Sequence, residues 1–279
     1  MKHKKTKILF AVIPAAIVLL LCAVAGYYFY QGGAADLILF FDNPDRTEQM
    51  EARTFTSSGG VTLQYRIFVP EDDGSAAEYP LVLFLHGSGQ CGDDNRAQAI
   101  TNNVMQTLLK NKNKRTYPCV VVAPQCPKDS NFFPFVEEDS AQAPDYSIPE
   151  AVMELLEQVK ADYPVDAGRV YLTGTSMGGY GAWGLLSRYA DTFAAAVPIC
   201  GWADPAWAAA MKDVPIWVFH GARDNRVDPE SSREMVRALQ EAGSTSVKYT
   251  EYKWEKHWSW VRAYHDDDLF AWMFACRKH

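Results

Sequence analysis

From residue 50 onward the apolar residues fall into two patterns. In "TFTSSGGVTLQYRIFVP" they alternate, which places Leu63, Tyr65 and Ile67 on one face of a strand. An earlier strand joins it through the turn Ser57-Ser58-Gly59-Gly60. After this the alternation stops. "YPLVLFLHG", "YPCVVVAPQ", "RVYLTG", "AAAVPIC" and "VPIWVFHG" are continuous apolar runs, each ending in small or polar residues. Strands covered on both faces read this way, as in a parallel sheet flanked by helices. The intervening segments carry helical spacing. In "SIPEAVMELLEQVKADY", Val152, Leu155, Leu156 and Val159 share a face, with Ser147 the expected N-cap and Pro149 in the first turn. The pattern predicts an α/β fold, a mostly parallel central sheet with helices on both faces. Only "SNFFPFVEEDSAQAPDY" (130–146) breaks the rhythm. It reads equally as a surface loop and as a wall of a binding cleft.

The first thirty residues are of another kind. Lys2, Lys4, Lys5 and Lys7 precede an uncharged run from Ile8 to Tyr30, about right for one bilayer crossing. The aromatic "YYFY" suits a membrane interface, and the lysines favour a cytoplasmic N-terminus. Ala23-Val24-Ala25 also has the small-x-small form of a cleavage site, while bulky Leu21 argues against lipidation of Cys22. The expected organisation is a signal anchor or signal peptide (1–30), a linker (31–48) and a globular domain (49–279). Either reading puts that domain outside the cytoplasm, anchored through residues 8–30 or secreted after cleavage.

Charge narrows the partners. Without the four leading lysines, the 27 basic residues become 23 against 34 acidic ones, near −11, which is a poor match to nucleic acid. Cys91, Cys119, Cys126, Cys200 and Cys276 form no CxxC pair, and no His/Cys cluster has zinc-ligand spacing; no metal or organic cofactor is implied. Export permits disulfides, but an odd number leaves one cysteine unpaired or bonded elsewhere.

The candidate chemistry lies in "GTSMGGYG" (174–181). Gly174-Thr175-Ser176-Met177-Gly178 matches G-x-S-x-G between the strand "VYLTG" and a helix-like segment. A strained strand-to-helix turn there would hold Ser176 up as a nucleophile. Neither GxGxxG nor GxxxxGK[ST] is present to suggest a phosphate cradle. A serine hydroxyl needs a base, and the base an acid, in the chain order Ser, Asp or Glu, His. His257 and His265 lie downstream; His257, in a loop beyond "VKYTEY", is preferred to His265 at the acidic, solvated start of the last helix. For the acid, Asp224 is preferred to Asp228, which reads as a helix cap, and to Glu251 inside a strand. Oxyanion donors are expected from Met177 N–H and from the glycine-rich loop in "LFLHGSGQCGDDN", where Ser88 and Gly89 are the candidates and Ser88 is preferred. Gly89, Trp202 and Trp258 are the expected substrate contacts, the tryptophans because they adjoin the predicted site loops.

"LFLHGSGQCGDDN", "VVAPQCP", "DAGRVYLTGTSMGGYGAW", "PICGWADP", "HGARDNRV" and "KHWSWVRAY" occur in the order and spacing of a known group. Over residues 50–278 the chain resembles the bacterial α/β-hydrolases described as predicted peptidases or phospholipase/carboxylesterase-like proteins, relatives of feruloyl esterases and polyhydroxybutyrate depolymerases. The resemblance implies an α/β-hydrolase fold with Ser176 as nucleophile, Asp224 as acid and His257 as base. It implies a small-molecule or carbohydrate ester as substrate, with short peptides as the alternative. Gln90-Cys91 departs from the Glu-Arg common in that group, which removes a charge pair beside the oxyanion loop. Retention of all three reactive residues speaks against a catalytically silent surface binder.

Overall fold

The computed structural model describes residues 45–71, 78–100, 104–135 and 143–278, together with Cys22, Ala23 and Gly26. Apart from those last three residues, the predicted membrane segment lies outside the described residues, as does most of the linker. Among the described residues no helix is long and apolar enough to cross a membrane.

Among the described residues, eight strands form one sheet: β1 (Glu51–Thr56), β2 (Thr62–Phe68), β3 (Tyr79–Leu85), β4 (Val120–Gln125), β5 (Val165–Thr175), β6 (Ala195–Ile199), β7 (Ile216–Gly221) and β8 (Val247–Tyr252). Their order is β1-β2-β4-β3-β5-β6-β7-β8. β1 and β2 form the expected hairpin, and β2 runs antiparallel to β4. Every pairing from β4 across to β8 is parallel. The continuous apolar runs are the inner strands, with β3, β4 and β6 buried along their whole length. The alternating stretch is β2, whose Leu63, Tyr65 and Ile67 face inward.

Successive residues of β3 supply both faces. Leu81, Leu83 and Leu85 join one core, and Val82 and Phe84 join the other. The first core is roofed by α1 (Ser147–Asp162), α2 (Met177–Tyr189) and α3 (Pro229–Glu241). The second packs under α4 (Asp267–Ala275) and the short helix Val104–Leu108. Leu155, Leu156 and Val159 of α1 are buried as their spacing requires. Ser147 is the first helical residue rather than the cap, because the Asp145 carboxylate accepts its N–H at 2.8 Å. α3 begins as expected, with Asp228 Oδ1 accepting the Glu230 N–H at 2.9 Å and Pro229 in the first turn. All six cysteines are free thiols.

β4 lies on one side of β3 and β5 on the other, so the chain changes its direction of travel across the sheet at β3. In open α/β sheets the crevice at the carboxyl ends of such strands is where ligands bind. The helix entering this crevice, α2, packs its start onto the end of β3. A Cβ on Gly178 would overlap the Leu85 carbonyl and lie 2.7 Å from His86 O. Gly178→Ala is therefore expected to cost about 3 kcal/mol of stability, read from urea unfolding. A loss below about 1 kcal/mol would mean that α2 can move off β3.

The described part of the 130–146 segment is not a free surface loop. Phe132 and Phe133 are buried against α2, where a Cβ on Gly181 would meet Phe132 Cβ at 2.6 Å and one on Gly184 would overlap the Phe133 ring. Phe135, 48% exposed, stacks on Tyr180 of α2.

Candidate active site

Ser176 alone separates β5 from α2 and has φ 56° and ψ −117°. For a residue with a Cβ this backbone costs roughly 1–3 kcal/mol and persists only when its surroundings enforce it. Here they do. Ser176 N–H donates to Ile199 O at 3.0 Å, and Ser176 O accepts the Tyr180 N–H at 2.9 Å. A Cβ on Gly174 would overlap the Gly178 carbonyl, so the glycines on either side of the serine answer to crowding of the turn on itself.

Three loops at the carboxyl edge bring the predicted residues together. His257 Nε2 lies 2.9 Å from Ser176 Oγ, and His257 Nδ1 lies 2.7 Å from Asp224 Oδ2. A carboxylate only accepts, so Nδ1 carries the hydrogen; the Nε2 lone pair then faces the serine hydroxyl, which donates to it. The Asp224 side chain is fully buried and that of His257 is 6% exposed. Burial alone would raise the Asp224 pKa. Hydrogen bonds from His220 and His257 and the backbone N–H of Arg226 outweigh it and hold the carboxyl well below the usual carboxylate range. The His257 loop is seated on the end of β7. Arg223 N–H donates to Glu255 O at 2.9 Å, and a Cβ on Gly221 would lie 2.6 Å from that same oxygen. Trp260 meets the imidazole edge-on at 5.4 Å.

The proposed donor loop adjoins the serine. A Cβ on Gly87 would sit 3.7 Å from Ser176 Cβ. Ser88 opens the helical turn Ser88–Gln90 as Met177 opens α2, so neither N–H has a carbonyl acceptor within its own helix. His86, read from the sequence only as a strand end, ties this loop down. Its Nε2 accepts the Cys126 N–H at 2.9 Å, and its Nδ1–H donates to Gly87 O at 2.7 Å. Burial pushes its pKa down to about 4, so the ring keeps the lone pair that accepts from Cys126. Cys91, at the position that departs from the resembled group, lies 3.8 Å from the Met177 sulfur.

Gly89 is exposed. Trp202 is half-buried and lies parallel to Tyr180 at 4.5 Å and to Phe135 at 5.2 Å. Trp258, next to His257 in sequence, is half-buried and tilted against Trp260 at 6.3 Å. The other candidates stand apart. Asp228 caps α3, and Glu251 is held by Arg233 at 2.8 and 2.9 Å. His265 is half-buried rather than solvated, because its Nδ1 donates to Val261 O at 2.7 Å. Cys200 Sγ, Asp224 and His257 place ligand atoms within 4.8 Å of one another. They do not suit a metal, because the His257 nitrogen facing Asp224 is hydrogenated and burial pushes the Cys200 thiol well up.

Among the described residues, the carboxyl edge of the eight-stranded α/β sheet thus carries a serine on a strained strand–helix turn, bonded to a histidine and through it to a buried aspartate. The chain belongs to the family described as "Putative esterase", whose model matches residues 57–266. A crystal structure of a thermostable esterase is 37% identical with a TM-score of 0.77, over 83% of this chain and 64% of that one. The bifunctional acetylxylan esterase/xylanase XynS20E of Neocallimastix patriciarum is 31% identical over 166 residues, 60% of this chain and 22% of that protein. Poly(3-hydroxyalkanoate) depolymerase C of Paucimonas lemoignei is 28% identical over 172 residues, 60% of this chain and 38% of that protein. The chain thus spans well under half the length of the curated relatives it matches.

Proposed function

We propose that the protein is a serine hydrolase of carboxylic esters acting outside the cytoplasm, with residues 49–279 as its catalytic domain. The observation that carries this is the continuous bonding from Ser176 through His257 to Asp224. Ser176 Oγ attacks the ester carbonyl carbon as its proton passes to His257 Nε2. The carbonyl electrons move onto oxygen, where the Met177 and Ser88 N–H groups meet the developing charge. Collapse expels the alcohol, which takes the proton from His257 and leaves an acyl-serine. Water, deprotonated by the same nitrogen, then releases the acid and restores the serine. Asp224 stays ionised and holds the imidazole in its Nδ1–H form throughout.

Acyl groups borne on carbohydrate are the substrate class we favour, since a relative bears the name acetylxylan esterase and the parallel Trp202, Tyr180 and Phe135 rings lie one turn of α2 beyond Ser176. The basic and apolar leader supports the location, by anchorage or by cleavage. A parallel screen of acetyl, feruloyl and p-nitrophenyl esters against short peptides tests the reading, with fluorophosphonate labelling alongside. Ester turnover and a labelled serine are expected. Faster peptide turnover would move the protein to the peptidases, and an unlabelled, inert protein would make it a binding protein on a hydrolase fold.

A further inference from the structure

The Asp224 carboxylate has a second histidine on it. His220, the penultimate residue of β7, is fully buried, and its Nε2 lies 3.1 Å from Asp224 Oδ2, the oxygen that also receives His257 Nδ1–H. The same Nε2 is 3.2 Å from Val227 O. Both neighbours only accept, so Nε2 carries a hydrogen whatever charge the ring bears. The other ring nitrogen, Nδ1, is 2.7 Å from Ser232 Oγ on α3, and that hydroxyl lies 3.4 Å from Gly201 O in the loop after β6. On its other side, Asp224 Oδ1 accepts the N–H groups of Arg226 at 2.8 Å and Val227 at 3.1 Å. The carboxylate therefore receives four N–H donors, two on each oxygen.

We propose that His220 is a positioning residue for Asp224, fixed by Ser232, and that its Nε2–H sets both the rotation of the carboxylate and how strongly Oδ2 holds His257. This role rests on the esterase reading above. Oδ1 is held by the two adjacent backbone amides, and a donor on Oδ2 from a direction other than that of His257 fixes the rotation of the carboxylate plane. His220 supplies that direction from inside the sheet. It also draws charge from Oδ2, which weakens the pull on a protonated His257. Two further titratable groups lie near this pair. Glu251, opposite His220 on β8, is engaged by Arg233 on α3 and by the Tyr249 hydroxyl, and Cys200 after β6 is a buried thiol.

Two amide variants separate the two ends of the ring. Gln at position 220 reaches the place of Nε2 and can donate to Asp224, whereas Asn reaches only the place of Nδ1 and keeps the Ser232 side. His220→Asn is expected to lower kcat by roughly 10- to 100-fold with KM within about twofold. The acid limb of its kcat/KM profile should rise by about half a unit to one unit, because a carboxylate with one donor fewer stabilises the imidazolium. His220→Gln should recover most of kcat and return the limb to the wild-type position. Ser232→Ala, which keeps the ring but frees its far end, should move the limb in the same direction by less. Circular dichroism and urea unfolding check that each variant is folded before assay. Equal losses in the Asn and Gln variants, or an unmoved limb in folded His220→Asn, would reduce His220 to packing while leaving the esterase reading intact. Absence of ester turnover and of fluorophosphonate labelling in the wild type would overturn that reading and this role with it.

Discussion

Replacing Ser176 with alanine is expected to lower kcat/KM for an activated aryl ester by roughly 10⁴-fold or more and to abolish the fluorophosphonate adduct. The size follows from what is removed. His257 Nε2, 2.9 Å from Oγ, is left with a lone pair and no proton to accept, so the acyl-enzyme route closes. What remains is substrate binding and the proposed Met177 and Ser88 N–H donors, which leave a residual advantage over water rather than an efficient reaction. Alanine keeps a Cβ and so keeps the strain at φ 56°, while the bonds of Ser176 N–H to Ile199 O and of Tyr180 N–H to Ser176 O are made by the main chain and survive. The variant should thus unfold within about 1 kcal/mol of the wild type. Intact-mass measurement after probe treatment, beside steady-state kinetics, separates lost chemistry from lost fold. Retention of more than a few per cent of wild-type activity would mean that water is attacking directly and that Ser176 is not the nucleophile.

Ser176, Asp224 and His257 were readable because each stands where the local pattern changes. Ser176 and Asp224 follow the ends of continuous apolar runs, and His257 lies in the turn after the strand "VKYTEY". The same logic made β3 to β7 visible, since strands covered on both faces, as β3, β4 and β6 are along their whole length, leave no polar alternation to confuse them. What stayed hidden depends on contacts distant in sequence. His86 and His220 looked like two copies of a strand-ending "HG" because their partners, Cys126 on one side and Asp224 and Ser232 on the other, are chosen by how loops meet. The one available signal was the repetition itself. Charged-capable rings at the ends of two inner strands of one sheet must be bonded, since an unpaired imidazole would be costly there. Gly181 and Gly184 gave no sign that they make room for Phe132 and Phe133, because nothing local distinguishes a packing glycine from a flexible one. The start of α1 was misplaced by one residue for a smaller reason, the reach of Asp145.

Asp224→Asn is expected to cost a similar factor, roughly 10⁴-fold in kcat, though the substitution changes one atom. The four donors around the carboxylate dictate why. If the amide nitrogen took the place of Oδ1, its hydrogens would face the N–H groups of Arg226 and Val227, and a backbone amide has no other form to adopt. The nitrogen must therefore take the place of Oδ2 and donate toward His257. To accept that bond, His257 must lose its Nδ1 hydrogen and carry it on Nε2, where it points at Ser176 and blocks proton removal. His220 can still donate to Val227 O, so it does not prevent the inversion. The charge that offsets the imidazolium in the transition state is lost as well. Since both oxygens of Asp224 are buried and the wild-type carboxyl stays ionised far below neutral pH, acid does not reproduce this state in the working range; only the substitution does. KM should change by less than about threefold, because Asp224 does not reach the substrate. A variant that kept a tenth of wild-type kcat would show that His257 can hold its productive form without the carboxylate, and the acid would then have to be sought elsewhere.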